Sequence, residues 1–510
     1  MVRTIINRSA PLETQRRKSL TGSAHRHFLA VFAYVSIAFL NPFSLAKLPE
    51  NGSTGSPSDS TTPDKTFGGR AESRERTDDV VKGKVIYQSM EIFPLVKQHI
   101  HAPTIVELAD GSLLTAWYQG SGERSADDVA IMGARLKPGQ DSWTRPFVMA
   151  DVPDFPDINP ILFIDPRERL WLIWYTVIAN QWETSLLKFR ISDNYMMKEG
   201  PPEWSWQDVL HIKPGDSTER GIQPDDSFVK SVERQVEEYA KYILESAPAD
   251  NKGTAGLMAA GWRVWAKNLL SKARGEDMMR DGYLIDSQGK STKQLMGYPY
   301  FRRMGWQTRN KPFIVDKKRI IVPLYSDGFS FSLMAITDDF GLTWQFSEPL
   351  VGPGNIQPAI VQKADGTLVA YMRDNGPPPK RLQVSSSTDK GLTWSPVRDS
   401  DLPNPGSGAD AVTLQNSNWA LVYNDTEDGR HSLAVSISTD EGKTWKWTRH
   451  LEKDTRPKDF ATRSHYPSIV QGRDGSLYVV YAYHHNDRKD GPSKTIKYVH
   501  FNEAWVKAGQ

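Results

Sequence analysis

The stretch "STDKGLTW" (residues 387–394) recurs as "TDDFGLTW" (337–344) and "STDEGKTW" (438–445), so that Asp339, Asp389 and Asp440 stand 50 and 51 residues apart. A spacing this regular points to an array of like units. Within the word, the aspartate can accept backbone N–H bonds of a turn, the glycine allows a positive φ, and the tryptophan offers a broad face to pack between strands. Those are the needs of a tight turn, and the three aspartates are read as structural.

A second phrase, an apolar run, a polar turn and a β-rich run, occurs six times: "PTIVELADGSLLTAWY" (103–118), "PILFIDPRERLWLIWYT" (160–176), "PFIVDKKRIIVPLYS" (312–326), "PAIVQKADGTLVAYMRD" (358–374), "AVTLQNSNWALVYND" (411–425) and "PSIVQGRDGSLYVVYAY" (467–483). Each reads as a β-hairpin turning at Asp-Gly or an equivalent. Where the unit is complete, the hairpin is followed by a loop, a third strand, the aspartate word and a fourth strand. Four strands at a period near fifty make a propeller blade, and six units predict an all-β, six-bladed β-propeller. Blade two keeps a worn turn, "RISDNYM" (190–196), and blades one and six have lost it. Blade six ends after "TIKYVHF" (495–501), one strand short. The segment "KVIYQSMEIF" (84–93) is expected to supply that strand, since an open blade would leave an unpaired edge.

Hairpins two and three are separated by about 100 residues too many. The surplus contains "VKSVERQVEEYAKYILES" (229–246) and "GLMAAGWRVWAKNLLSKA" (256–273), both with helical periodicity. A helical insertion over about 215–300 between blades two and three is predicted, within a propeller spanning 84–507.

Ahead of the propeller, six basic residues and one acidic residue in 1–27 precede the apolar run "FLAVFAYVSIAFL" (28–40) and "SLA" (44–46). That order is expected of a secretory signal cleaved after Ala46, which implies a secreted or periplasmic protein; an uncleaved anchor is the alternative. Residues 47–83, rich in Ser, Thr, Gly, Pro and charge, are expected to form a disordered linker. The basic head carries +5 of the chain's net +2, leaving −3 for the remainder, which argues against a nucleic-acid partner. With no cysteine, disulfides and thiolate chemistry are excluded.

In a four-stranded blade the 1→2 and 3→4 turns share one rim, and the 2→3 loops and inter-blade connections share the other. Function is expected on the second rim. The aspartate word resembles the Asp-box of the sialidases (neuraminidases), a family of six-bladed propellers, and the resemblance extends over about 86–505. It implies an exo-α-sialidase-like glycosidase that needs no cofactor and takes an anionic sugar, sialic or uronic acid, of a glycan or polysaccharide. A monomer is expected, with no membrane contact after signal cleavage.

The resemblance places Arg373 in "YMRD" and Arg430 before the third strand of blade five as two members of an arginine triad, and Tyr466 in "RSHYPSIV" as the nucleophile. Arginine suits a carboxylate through its fork, and tyrosine approaches an anionic sugar uncharged. Where the family has its first arginine, this chain has His101 in "HIHAPT"; where it has a glutamate, Gln357 stands in "NIQPAIV". Arg302, Arg303 or Arg309 in "FRRMGWQTRNKP" could restore the positive charge. Asp128 and Glu123, with Asp127 third, are the candidates for the acid, in "QGSGERSADDVAIMGAR" (119–135). Asn424 and His484 are expected beside the substrate, and His485 follows His484 in sequence. Without a carboxylate at ligand spacing, His99, His101, His484 and His485 are not expected to hold a metal. A uronate polysaccharide lyase and a non-catalytic glycan-binding propeller remain as alternatives.

Overall fold

The computed structural model describes residues 84–509 apart from 217–224, 277–279, 286–287, 297–299 and 487–490. The expected signal and linker therefore lie outside the described residues. All six predicted hairpins form, each as the inner half of an antiparallel sheet. Blade one is His99–Glu107, Leu113–Gly120, Ala130–Leu136 and Phe147–Ala150; blade two is Asp157–Ile164, Leu170–Val177, Ser185–Ser192 and Trp206–Val209. In blade three the first strand is broken into Trp306–Thr308 and Phe313–Val315, followed by Arg319–Ser326, Phe331–Thr337 and a fourth strand of two residues, Gln345–Phe346. Blade four is Asn355–Gln362, Leu368–Asp374, Arg381–Ser387 and Arg398–Pro403; blade five is Asp410–Thr413, Trp419–Tyr423, Ser432–Ser438 and Trp447–Lys453.

Blade six combines Arg463–Gln471, Leu477–His484 and Lys494–Phe501 with Tyr87–Glu91, paired from Tyr87 opposite Phe501 to Glu91 opposite Lys497. The strand expected from the other end of the chain thus closes the ring. Asn502 fastens it: its Oδ1 accepts from Ile86 N at 3.3 Å and its Nδ2 donates to the Lys84 carbonyl at 2.7 Å.

The three aspartate words are 3→4 turns with one bonding pattern. In each, the aspartate accepts from the preceding hydroxyl at 2.8 Å and from the backbone N–H four residues on at 2.9 Å. These bonds favour the ionised form; those from Thr444 and Ser438 bring the Asp440 carboxyl down to about 2. The glycines sit at φ 97°, 90° and 80°, and each faces the second strand of the preceding blade. A β-carbon would come within 2.5 Å of Trp171 at Gly341, 2.8 Å of Ile321 at Gly391 and 2.4 Å of the Tyr371 hydroxyl at Gly442. The repeated word therefore joins one blade to the one before it.

The insertion forms two long helices, α1 (Ser227–Ser246) and α2 (Lys252–Arg274), and a hairpin, Arg280–Ile285 with Ser291–Met296. Asp226 caps α1 by accepting from Phe228 N at 2.9 Å, and Phe228, Val229, Val232, Val236 and Ala240 are buried along one face. Trp262 Nε1 of α2 donates to the Val236 carbonyl at 2.7 Å. Gln235 bonds the Pro349 carbonyl at 2.6 Å and Val351 N at 2.9 Å, and so covers an edge that the two-residue fourth strand of blade three leaves open. Phe228 packs on Phe329 and Phe331 with centroids 5.9 and 6.4 Å apart. These contacts, on an inter-blade connection and a 2→3 loop, put the helices on the rim opposite the aspartate words. The segment that leaves the insertion, through Arg309, is the part that reaches the centre.

Candidate active site

Four inner strands share one irregularity. In "HIHAPT" (99–104), "DINPIL" (157–162), "NIQPAI" (355–360) and "RSHYPSI" (463–469) the residue before proline has a positive φ: 48° at Ala102, 48° at Asn159, 57° at Gln357 and 56° at Tyr466. The pairing register slips at the same four places. Proline cannot donate to the ladder and disfavours a helical residue before it, so the strand bulges and one side chain is re-aimed. Tyr466 Oη thereby meets Gln357 Nε2 at 3.0 Å, while Gln357 Nε2 and Asn159 Nδ2 reach Tyr325 Oη at 3.4 and 3.3 Å. Blade five contributes Gly408. A β-carbon there would stand 3.0 Å from Gln357 Oε1 and 3.8 Å from Tyr466 Cδ1, so the absent side chain leaves room beside the tyrosine.

Three arginines surround Tyr466, which is itself 8% exposed. Arg373 Nη1 donates to its Oη at 2.8 Å, and the guanidinium carbons of Arg309 and Arg430 lie 5.1 and 5.4 Å from its ring centre. The remaining bonds of these guanidiniums go to uncharged groups: Pro467 O for Arg309 at 2.8 Å, Gly406 O at 3.0 Å and His465 Nδ1 at 3.4 Å for Arg430, and Asn375 Oδ1 for Arg373 at 3.2 Å. Among the described residues none of the three is salt-bridged to a carboxylate. Burial pushes the pKa of Arg309 and Arg430 down, opposed chiefly by Asp410 and Tyr466 respectively. Buried cations without counter-ions favour the entry of an anion. Arg302, weighed with Arg309 from sequence, is instead consumed by Asp226 at 2.5 Å.

His101 lies against the tyrosine, with ring centres 4.1 Å apart. From it the imidazoles continue to His465 at 4.5 Å, then from His465 to His484 at 4.7 Å and from His484 to His99 at 6.0 Å. Burial, reinforced by the neighbouring histidines and by Arg430, holds His101 and His465 well below the usual histidine range. Burial likewise brings His484 down to about 3, against the bond from its Nε2 to the Ile100 carbonyl at 2.9 Å. No group of three or more His, Cys, Asp or Glu among the described residues is placed to hold a metal ion.

The carboxyl groups divide. Glu123 accepts from Tyr118 Oη at 2.8 Å and lies 3.2 Å from His99 Nε2; burial raises its pKa, but these partners outweigh it and the net shift is downward. Asp128 is exposed and fixes its own loop, accepting from Ser121 N at 2.9 and 3.0 Å and from Ser121 Oγ at 2.7 Å, which lowers its pKa. Asn424, fully buried, donates to the Ser432 and Ser464 carbonyls and so ties blade five to blade six. Sequence reasoning passed over Asp327. It lies in the 2→3 loop of blade three, half-buried, and burial raises its pKa against the opposing charge of Arg373. Nothing local in "YSDG" (325–328) marks it; its surroundings come from other blades.

Two clefts lie away from the centre. One of about 500 Å³ opens on the Asp-box rim beside Trp206 and Trp344, and one of about 460 Å³ lies between blades five and six beside His431, Asp454 and Tyr483. Charge selects the centre, where cations lacking counter-ions converge on a tyrosine.

A six-bladed ring fastened by Asp-boxes, with three arginines about a tyrosine on the opposite rim, is a sialidase-like propeller. The profile of the BNR repeat-like domain matches residues 111–219 and 303–479, more than half of the chain, and the chain belongs to that family. No curated protein matches it. A protein of unknown function from Dyadobacter fermentans is 14% identical with a TM-score of 0.53, over 82% of this chain and 99% of that one. The NanB sialidase of Streptococcus pneumoniae is 13% identical with a TM-score of 0.50, over 82% of this chain and 71% of that one. The intramolecular trans-sialidase of Ruminococcus gnavus is 15% identical with a TM-score of 0.50, over 82% of this chain and 98% of that one. At such identities the likeness establishes the fold.

Proposed function

We propose that the protein is a glycosidase acting, outside the cytoplasm, on a sugar that bears a carboxylate, sialic or uronic acid. The observation that carries this is the set of Arg309, Arg373 and Arg430 around Tyr466 with no carboxylate of the described residues bound to any of them. The sugar carboxylate takes the place of the missing counter-ion. Tyr466, uncharged as the sugar enters and then stabilised as phenolate by donation from Arg373 and Gln357, attacks the anomeric carbon, and water later releases the sugar with retained configuration. Of the rim carboxyls, Asp327 has its pKa raised by burial and is the group assigned to protonate the leaving oxygen. A panel of sialyl and uronyl substrates identifies the sugar. On the substrate found, Tyr466→Phe lowers kcat by at least ~10³-fold; an unchanged rate sinks the proposal.

One observation favours elimination as a second route: the low-pKa imidazoles of His101 and His465 beside Tyr466, with an amide at Gln357, also suit removal of a proton next to a uronate carboxylate. Such a lyase makes an unsaturated product that absorbs in the ultraviolet, and a hydrolase does not.

A further inference from the structure

We propose that His101 accepts the phenolic proton of Tyr466 as that oxygen attacks the sugar and holds it until the tyrosine departs. This rests on Tyr466 being the nucleophile. A phenol, with an ordinary pKa near 10, must lose its proton as it attacks. The groups facing it are Gln357 and Arg373 from blade four, Arg309 entering blade three, Arg430 from blade five, Tyr325 and Tyr118 from blades three and one, and the imidazoles of blades one and six. Gln357 and Arg373 both donate to its oxygen. Turning the amide of Gln357 over would present Oε1, which is too weakly basic to take the proton. Arginine has nothing to accept with, and burial keeps the phenols of Tyr118 and Tyr325 protonated. Imidazole is the remaining acceptor.

His101 is the imidazole nearest the phenol, at 4.1 Å between ring centres, and its Nδ1 is buried without a hydrogen-bond partner. His465 follows at 4.5 Å between ring centres, but its Nδ1 faces Arg430 Nη1 at 3.4 Å and His484 Nε2 is held on the Ile100 carbonyl at 2.9 Å, so the proton stays on His101. Arg309 and Arg430 are among the charges that depress His101. A substrate carboxylate bound by those arginines offsets their charge, so His101 gains basicity when the sugar is in place. In the first half-reaction the Tyr466 O–H bond breaks, its proton moves to His101, the oxygen bonds the anomeric carbon, and the leaving oxygen takes a proton from Asp327. In the second, water adds to the anomeric carbon, its proton returns to Asp327, and the departing phenolate recovers its own from His101.

His101→Gln is expected to lower kcat by ~10²–10³-fold with KM within a few-fold. Adding Gln357→Glu to that variant is expected to restore at least about tenfold, because a carboxylate on the phenolic oxygen supplies the lost acceptor. That rescue separates loss of the proton acceptor from loss of the fold. Full activity in His101→Gln overturns the assignment, and so does a loss that Gln357→Glu leaves unrepaired. Full activity in Tyr466→Phe instead overturns the nucleophile assignment beneath it.

Discussion

Tyr466 holds a φ of 56°, a left-handed backbone that a bulky residue adopts only when its surroundings compel it. The compulsion is visible: Pro467 follows it, Arg373 and Gln357 bond its oxygen, and His101 presses on its ring. The aspartates of the repeated word hold a different kind of local geometry, one that concerns stability. Asp389 accepts from Ser387 Oγ, Leu392 N, Thr393 N and Thr393 Oγ1, and its removal strands those donors in a turn packed on the neighbouring blade. Asp389→Ala is expected to lower the unfolding free energy by about 1–3 kcal/mol in chemical denaturation, with kcat unchanged. A loss of kcat at constant stability would move this residue from scaffold to site.

At the scale of strands, the hairpins, the Asp-box turns and the closing strand were legible because each is written in local pattern: period-two alternation, turn residues and a constant interval. The direction of side chains at the centre was less so. A bulge breaks the alternation, so position in the strand does not say that Gln357 and Tyr466 meet, or that His465 and Tyr466, adjacent in sequence, both face the same cluster. Arg302 and Arg309 looked equivalent in sequence, yet one pairs with Asp226 inside the insertion and the other reaches the tyrosine. At the closing strand, Asn502 holds Lys84 and Ile86 and also caps the last helix by accepting from Trp505 N at 2.9 Å. Asn502→Ala is expected to cost about 1–2 kcal/mol, and hydrogen exchange should quicken first at residues 87–91.

For the molecule as a whole, pH sensitivity follows from the buried imidazoles. In the folded state His101, His465 and His484 titrate below the ordinary value of about 6.5, so the unfolded chain binds protons that the folded chain refuses. Their contribution is complete above pH ~6.5 and is lost progressively as pH falls toward the folded-state values, about 3 for His484. The Asp-box carboxylates add a second loss below pH ~4, the folded value of Asp440 being about 2. The thermal midpoint is expected to decline from pH 6.5 downward, and His484→Gln should flatten the decline between pH 6.5 and 4.5. An identical slope in that variant would place the acid sensitivity elsewhere.

The sheet made of Tyr87–Glu91 and Lys494–Phe501 has a bearing on biogenesis. A ribosome delivers the first of these strands more than four hundred residues before its neighbour, so it has no mate while the blades between them are made. Closing the ring therefore has to wait until all the intervening blades have been made. Any escort that shields the young chain has most to do at that lone ribbon.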